Sequence, residues 1–233
     1  FAQLLFSWRP FLGEIWAALG EASLASSGAP VGCVWVKQIR PALLRIRAFL
    51  KEEAGAITRV YTLQAHRGGG DRVLICSDAC PWGFGAAVFV NGKPLEFFTE
   101  QLTDFDLSLF QQERGSASGQ QVWEALAILV SLRLWARLWR RSRITLEVRS
   151  DNVTSLTMLT TLRVHGHGMS ILGRELALDL GTGIYRPAIC AHSPGVAHKV
   201  ADALSRRYAP AFVYELPTCL EAALEVAIGP REA

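Results

Sequence analysis

Residues 73–99 read VLICSDACPWGFGAAVFVNGKPLEFFT, which is the pattern of three short strands in antiparallel succession. Residues 73–77 are a continuous apolar run, as expected of a strand covered on both faces. Residues 84–90 form the second strand and residues 95–99 the third. Between them stands Asn91-Gly92, the strongest two-residue hairpin signal.

Downstream of this meander, residues 100–118 are rich in Gln, Ser and Gly, and residues 121–141 contain strong helix formers throughout. Residues 144–149 alternate, with Ile144, Leu146 and Val148 on one face and Thr145, Glu147 and Arg149 on the other, the pattern of a half-buried fourth strand. Asn152 can cap a helix over residues 153–162; a Gly/His loop at 164–168 and a helix at 170–180 follow. Residues 185–191 read as a fifth strand, and residues 199–208 as a short helix stopped by Pro210. The order β-β-β-α-β-α-α-β-α predicts an α/β fold: a mixed five-stranded sheet with helices on both faces, because parallel strands require right-handed crossovers.

Residues 66–72, His-Arg-Gly-Gly-Gly-Asp-Arg, suit no regular element and suggest a boundary. Before it, residues 1–65 form a small helical segment, with helices at 10–24 and 41–54 joined by the Ser/Gly/Pro loop 26–30. Residues 72–208 hold the sheet. Residues 209–233 are a tail, expected to form one helix after Pro217.

Half of the 233 residues are hydrophobic and the net charge is only +3, which excludes a disordered chain. The apolar stretches, residues 122–139 included, are broken by charge or too short for a bilayer, so no membrane partner is expected. Residue 1 is Phe, and no basic segment precedes an apolar run. The chain therefore reads as an intracellular piece of a longer product, cytoplasmic or nuclear and not secreted. Five scattered cysteines make no disulfide framework, and Cys76 and Cys80 lack a second Cys/His pair for zinc, so buried strand cysteines are expected.

Four acids occupy informative positions. Asp78 ends the first strand and Asp151 the fourth, so a right-handed crossover sets both carboxylates side by side at the carboxyl edge of the sheet. Glu124 lies in the first turn of a helix whose next six residues are apolar, where its charge needs a partner. Asp202 opens the last short helix. Each alone has an ordinary reading as a turn, cap or helix-start residue. Together they would repel one another unless cations intervened, and oxygen-only ligands favour Mg²⁺ or Mn²⁺.

Ser77-Asp78-Ala79, Glu124, Ser150-Asp151-Asn152, and His192-Ser193-Pro194-Gly195 followed by Ala201-Asp202-Ala203-Leu204-Ser205-Arg206 resemble the ribonuclease H domain of retrotransposon reverse transcriptases, of the gypsy-like or DIRS-like kind. The resemblance covers about residues 72–208 and implies a ribonuclease H-like fold. It implies a metal-dependent endonuclease that hydrolyses the RNA strand of RNA/DNA hybrids. Asp78, Glu124, Asp151 and Asp202 would be the catalytic carboxylates holding two Mg²⁺ or Mn²⁺ ions, and His192 the loop histidine that assists protonation and product release. The partner would be a polymerase domain outside this chain, since no Tyr-x-Asp-Asp motif occurs here. Residues 1–65 would then be a remnant of the thumb or connection region.

His198 stands where these elements usually carry Asn; contact with phosphate and capping of the last helix both remain open. His165 and His167 read as a solvated turn. The basic residues Arg133, Arg137, Arg140, Arg141 and Arg143 suit a helix C-terminus as well as phosphate contact. Trp135 and Trp139 read as core or interface. Gly83 and Gly85 could allow a nucleic-acid backbone to approach. A transposase or integrase core or an exonuclease shares this fold, and a non-catalytic hybrid-gripping domain is the alternative of another class.

Overall fold

The computed structural model describes residues 8–21, 30, 33–53, 70–139, 144–181, 189–193 and 198–229. Strands β1 (Asp71–Cys80), β2 (Gly83–Val90) and β3 (Lys93–Gln101) form the expected antiparallel meander. Asn91 and Gly92 have φ of 51° and 79°, the double positive φ that a tight hairpin turn demands. The Asn91 side chain accepts from the Arg72 backbone N–H and donates to Asp71, which fastens the hairpin tip to the start of β1.

The crossover from β3 passes through α3 (Asp104–Phe110) and α4 (Gln120–Leu134) to β4 (Ile144–Ser150), which pairs parallel with β1. Then follow α5 (Val153–Thr161), α6 (His167–Gly181) and β5 (Ile189–His192), which pairs parallel with β4, and finally α7 (Lys199–Ser205). The arrangement is the expected α/β one, with helices on both faces of a mixed sheet.

Helix α4 is buried nearly all round, because it lies between the sheet and α5 and α6. Trp123, Ile128 and Leu132 face a core that includes Ile75, Phe84, Val88, Phe98 and Val148. Trp135 is fully buried against Phe98 and donates its indole N–H to Glu96, so it and Trp139 are core residues. On the opposite face, α7 presses on β1 and β2 and sets Leu204 against Ala87, Phe97 and Leu220. A Cβ on Gly85 would lie 2.6 Å from Leu204 Cβ, and one on Gly83 2.6 Å from the Glu100 carbonyl oxygen. These glycines serve the packing of helix and strand on β2, not the approach of nucleic acid.

Several expectations need correction. The sheet has six strands, in the order β5-β4-β1-β2-β3-β6, because β6 (Leu224–Glu225) pairs parallel with the outer edge of β3. The tail after Pro217 is therefore no helix: it makes one short turn at Thr218–Leu220, buries Leu220, and closes an open edge. Helix α3 was not expected, although Thr103 and Asp106 form a reciprocal capping box at its start. Helix α4 ends at Leu134 and continues as a tighter turn through Leu138; Arg140, Arg141 and Arg143 lie outside the described residues. Arg133 is held by Asp179 and Glu175 of α6, and Arg137, in the turn after α4, by Glu96, so both are ion-paired within the fold.

The N-terminal helices α1 (Arg9–Glu21) and α2 (Val36–Leu50) pack on each other, and α1 packs on α6. Helix α2 starts ahead of Pro41 and carries it inside the helix; it buries Ala42 and Phe49, and Phe49 packs on Trp8 and Phe11. Arg174 pairs with Glu14, and Arg9 donates to the Thr161 carbonyl at 2.9 Å. Residues 66–69 of the expected boundary, and 185–188 of the expected fifth strand, lie outside the described residues. Among the described residues no helix is long and apolar enough to cross a membrane.

Candidate active site

Three of the predicted acids converge. Asp78 sits near the end of β1, Glu124 in the second turn of α4, and Asp151 directly after β4. One carboxylate oxygen from each lies within 4.8 Å of the others. The parallel pairing of β1 with β4 brings the two aspartates to one sheet edge, and α4 crosses above with Glu124. Asp78 and Glu124 are buried; Asp151 is exposed and opens the group to solvent.

An open cleft of about 700 Å³ includes all three acids together with Asp202 and Arg206 of the α7 end, Gln120, Asn152 and an apolar margin. Asp202 therefore shares the cleft but stays outside the tight group, because Arg206 one turn later takes its Oδ1 at 2.7 Å. His192 ends β5 opposite Ser150 and is exposed; it lies at the same sheet edge, and is not among the described residues that line the cleft. Residues 194–197 of its loop are outside the described residues.

A ring of polar side chains that sequence reasoning missed holds the acids. The Ser205 hydroxyl reaches Asp78 Oδ2 at 2.6 Å. Gln120 donates to Glu124 Oε1 at 2.9 Å and to the Ala79 carbonyl, and Ser150 Oγ approaches Glu124 Oε2 at 3.3 Å. The only sequence signal was the four-residue spacing of Gln120 and Glu124 on one helix face. His198 stands at the N-cap position of α7, but its side chain makes no cap hydrogen bond. It is buried, and its Nε2–H donates to the Ser77 carbonyl at 2.8 Å, pinning the start of α7 to the strand residue before Asp78.

Burial, with the Asp78 and Asp151 charges adding to it, pushes the Glu124 carboxyl up to about 9. Burial also raises Asp78, against the Ser205 hydroxyl, with the Asp151 charge again on the raising side. Two buried acids that resist ionisation, beside a third that faces solvent, form a donor set that fits a hard divalent cation: every ligand is oxygen, and added positive charge relieves the repulsion. All five cysteines are free, and Cys76, Cys80 and Cys190 are half-buried strand residues.

No protein-family model matches the chain, and no curated protein matches it. Among solved structures, RNase H1 from the halophilic archaeon Halobacterium salinarum is similar at 15% identity and a TM-score of 0.40, over 58% of this chain and 94% of its own. An RNase H1 isolated from compost by a metagenomic approach is similar at 15% identity and a TM-score of 0.42, over 60% and 94%. The N-terminal RNase H domain of a Mycobacterium tuberculosis protein is similar at 15% identity and a TM-score of 0.40, over 57% and 90%. These are likenesses of chain path at low identity, and the chemistry of the cleft stands on its own geometry.

Ser205→Ala is expected to weaken the thermal response to Mg²⁺ or Mn²⁺ by about 10- to 100-fold in midpoint concentration, the usual cost of losing a residue that orients a metal ligand. A metal titration followed by melting temperature checks this, and an unchanged midpoint would reduce Ser205 to a helix-end residue.

Proposed function

We propose that the chain is a divalent-metal-dependent endonuclease that hydrolyses the RNA strand of RNA/DNA hybrids, as the ribonuclease H part of a retroelement reverse transcriptase. The observation that carries this reading is the convergence of Asp78, Glu124 and Asp151 within 4.8 Å in an open cleft at the carboxyl edge of the sheet. Asp78, Glu124 and Asp151, with Asp202 released from Arg206, would hold two Mg²⁺ or Mn²⁺ ions. Such ions supply charge neutralisation and a water of lowered pKa as the nucleophile.

The chain's own residues do the rest. Ser205 and Gln120 keep the Asp78 and Glu124 oxygens turned toward the cleft. Arg206, freed from Asp202, faces the phosphate of the cut strand. His192 gives a proton to the leaving 3′-oxygen as a general acid. RNA is chosen by contacts to 2′-hydroxyls across the wide minor groove of the hybrid. Residues 72–208 carry this activity, and residues 1–65 belong to the thumb or connection side of a polymerase that lies outside this chain.

The test is incubation of the full chain with a labelled RNA/DNA hybrid and with double-stranded DNA, in Mg²⁺, in Mn²⁺ and in chelator. Metal-dependent cutting of the hybrid RNA with duplex DNA spared is expected. Equal cutting of DNA would transfer the cleft to a transposase- or exonuclease-like activity. Hybrid binding without cutting would make this a gripping domain.

A further inference from the structure

The acids form only one part of the cleft. Its margin is made by Pro81 and Trp82, from the turn between β1 and β2, and by Ala209, Pro210, Ala211 and Phe212, from the tail beyond α7. Resting on the ribonuclease H reading above, we infer that Trp82 and Phe212 form an apolar clamp for the sugar and base edge of the nucleotide beside the cut phosphate.

The Trp82 ring and the backbone that carries Phe212 are held in place. The six-membered ring of Trp82 lies where a Cβ on Gly115 would meet it at 2.8 Å, so the indole rests on bare backbone. Gly115 has φ +80° and donates its N–H to the Pro81 carbonyl, while Leu102 donates to the Trp82 carbonyl at 3.1 Å. The peptide on either side of the indole is thereby fixed to the loop that carries α3. Phe212 follows Ala211, whose φ of 61° is a left-handed conformation disfavoured for a residue with a Cβ.

That turn persists because the chain is anchored on both sides of it. Upstream, Arg207 donates to Thr99 Oγ1, pairs with Glu225, and stands 5.0 Å from the Tyr214 ring centre. Downstream, Leu220 is buried and β6 is paired with β3. Phe212 is nevertheless 38% exposed, so the anchoring leaves an apolar ring at the cleft margin, uncovered.

An acidic floor beside apolar flat surfaces matches a ligand that joins a phosphate, held through cations, to a planar or weakly polar unit. A nucleotide within a strand is such a ligand. A free metal ion or inorganic phosphate would leave the rings with nothing to contact.

The test is fluorescence anisotropy of the full chain with a labelled RNA/DNA hybrid in Ca²⁺, beside the melting temperature with and without Mg²⁺. Phe212→Ala should raise the hybrid Kd about tenfold, with Phe212→Trp staying within about twofold of the wild type. The neighbouring control Val213→Ala, at a position 81% exposed and away from the cleft, should change nothing. The Mg²⁺-induced rise in melting temperature should be the same in all four proteins. An unchanged Kd for Phe212→Ala overturns the inference, and so does a Phe212→Ala protein that loses its Mg²⁺ response, since the tail would then support the acids and not the substrate. A wild-type chain that neither binds nor cuts the hybrid would overturn the ribonuclease H reading itself, and the clamp with it.

Discussion

Replacing Glu124 with glutamine is expected to abolish hybrid cleavage while making the cation-free protein more stable at pH 8. A carboxyl whose folded pKa is raised from its ordinary value near 4.5 to about 9 stays protonated in the folded chain while the unfolded chain ionises. The folded state then binds the extra proton throughout that window, so stability falls as pH rises from about 4.5 to about 9. One such group can contribute a slope approaching ~1.4 kcal/mol per pH unit. For a chain of this size that corresponds to a fall of ~5–10 °C in melting temperature between pH 6 and pH 8. Asp78 shifts in the same direction and adds to the trend.

The Glu124→Gln protein cannot ionise at this position, so its profile should be flatter and its pH 8 melting temperature higher. Gln120 can still donate to the remaining amide oxygen. Activity should drop by more than the ~100-fold typical of losing a residue behind a metal ligand. Melting curves across pH in chelator, then in Mg²⁺, check both halves. Mg²⁺ should restore the wild type at pH 8 more than the variant. A variant less stable than the wild type at pH 8 would mean that Glu124 is chiefly a structural acceptor for Gln120 and Ser150.

Gly85→Ala is expected to damage fold and site together. The new methyl would lie 2.6 Å from Leu204 Cβ and 2.9 Å from the Leu204 carbonyl carbon, so relief requires movement of α7 as a whole. Overpacking of this kind costs typically ~1–3 kcal/mol. The same helix carries Ser205 against Asp78, and His198 just before it binds the strand at Ser77. The variant should therefore melt several degrees lower and also lose much of its metal response. A full metal response in a destabilised protein would show that α7 can shift without disturbing the acids.

The contrast between what could be read in advance and what could not follows the range of the interactions. The meander was legible because a continuous apolar run and Asn91-Gly92 are local signals. Asp78 and Asp151 could be placed on one edge because crossover handedness is a general rule, not a property of these side chains. The polar support was illegible for the opposite reason. Ser205 meets Asp78 across 127 positions and His198 meets Ser77 across 121, pairings that only the packed chain defines. The partners of Arg133 were hidden in the same way, since Glu175 and Asp179 lie on another helix. Helix α3 went unseen because seven residues give too few periods for a pattern, although Thr103 and Asp106 carried its start signal. The tail was misread because its apolar residues look helical in isolation, while Leu220 and Leu224 answer to a second core and to the edge of β3.

That edge carries a consequence for how the chain is made. The inner edge of β3 finds β2 across a two-residue turn, whereas its outer edge waits for Leu224 and Glu225, roughly 130 residues later. At a synthesis rate of about 5–20 residues per second, the outer edge stays unpaired for on the order of ten seconds on every nascent chain. Through that interval it offers a ready template to any other extended segment, including β3 of a neighbouring chain on the same message. Yield in a cell should then depend on how fast the residues up to Glu225 are delivered, and on whether a chaperone shields β3 until they arrive.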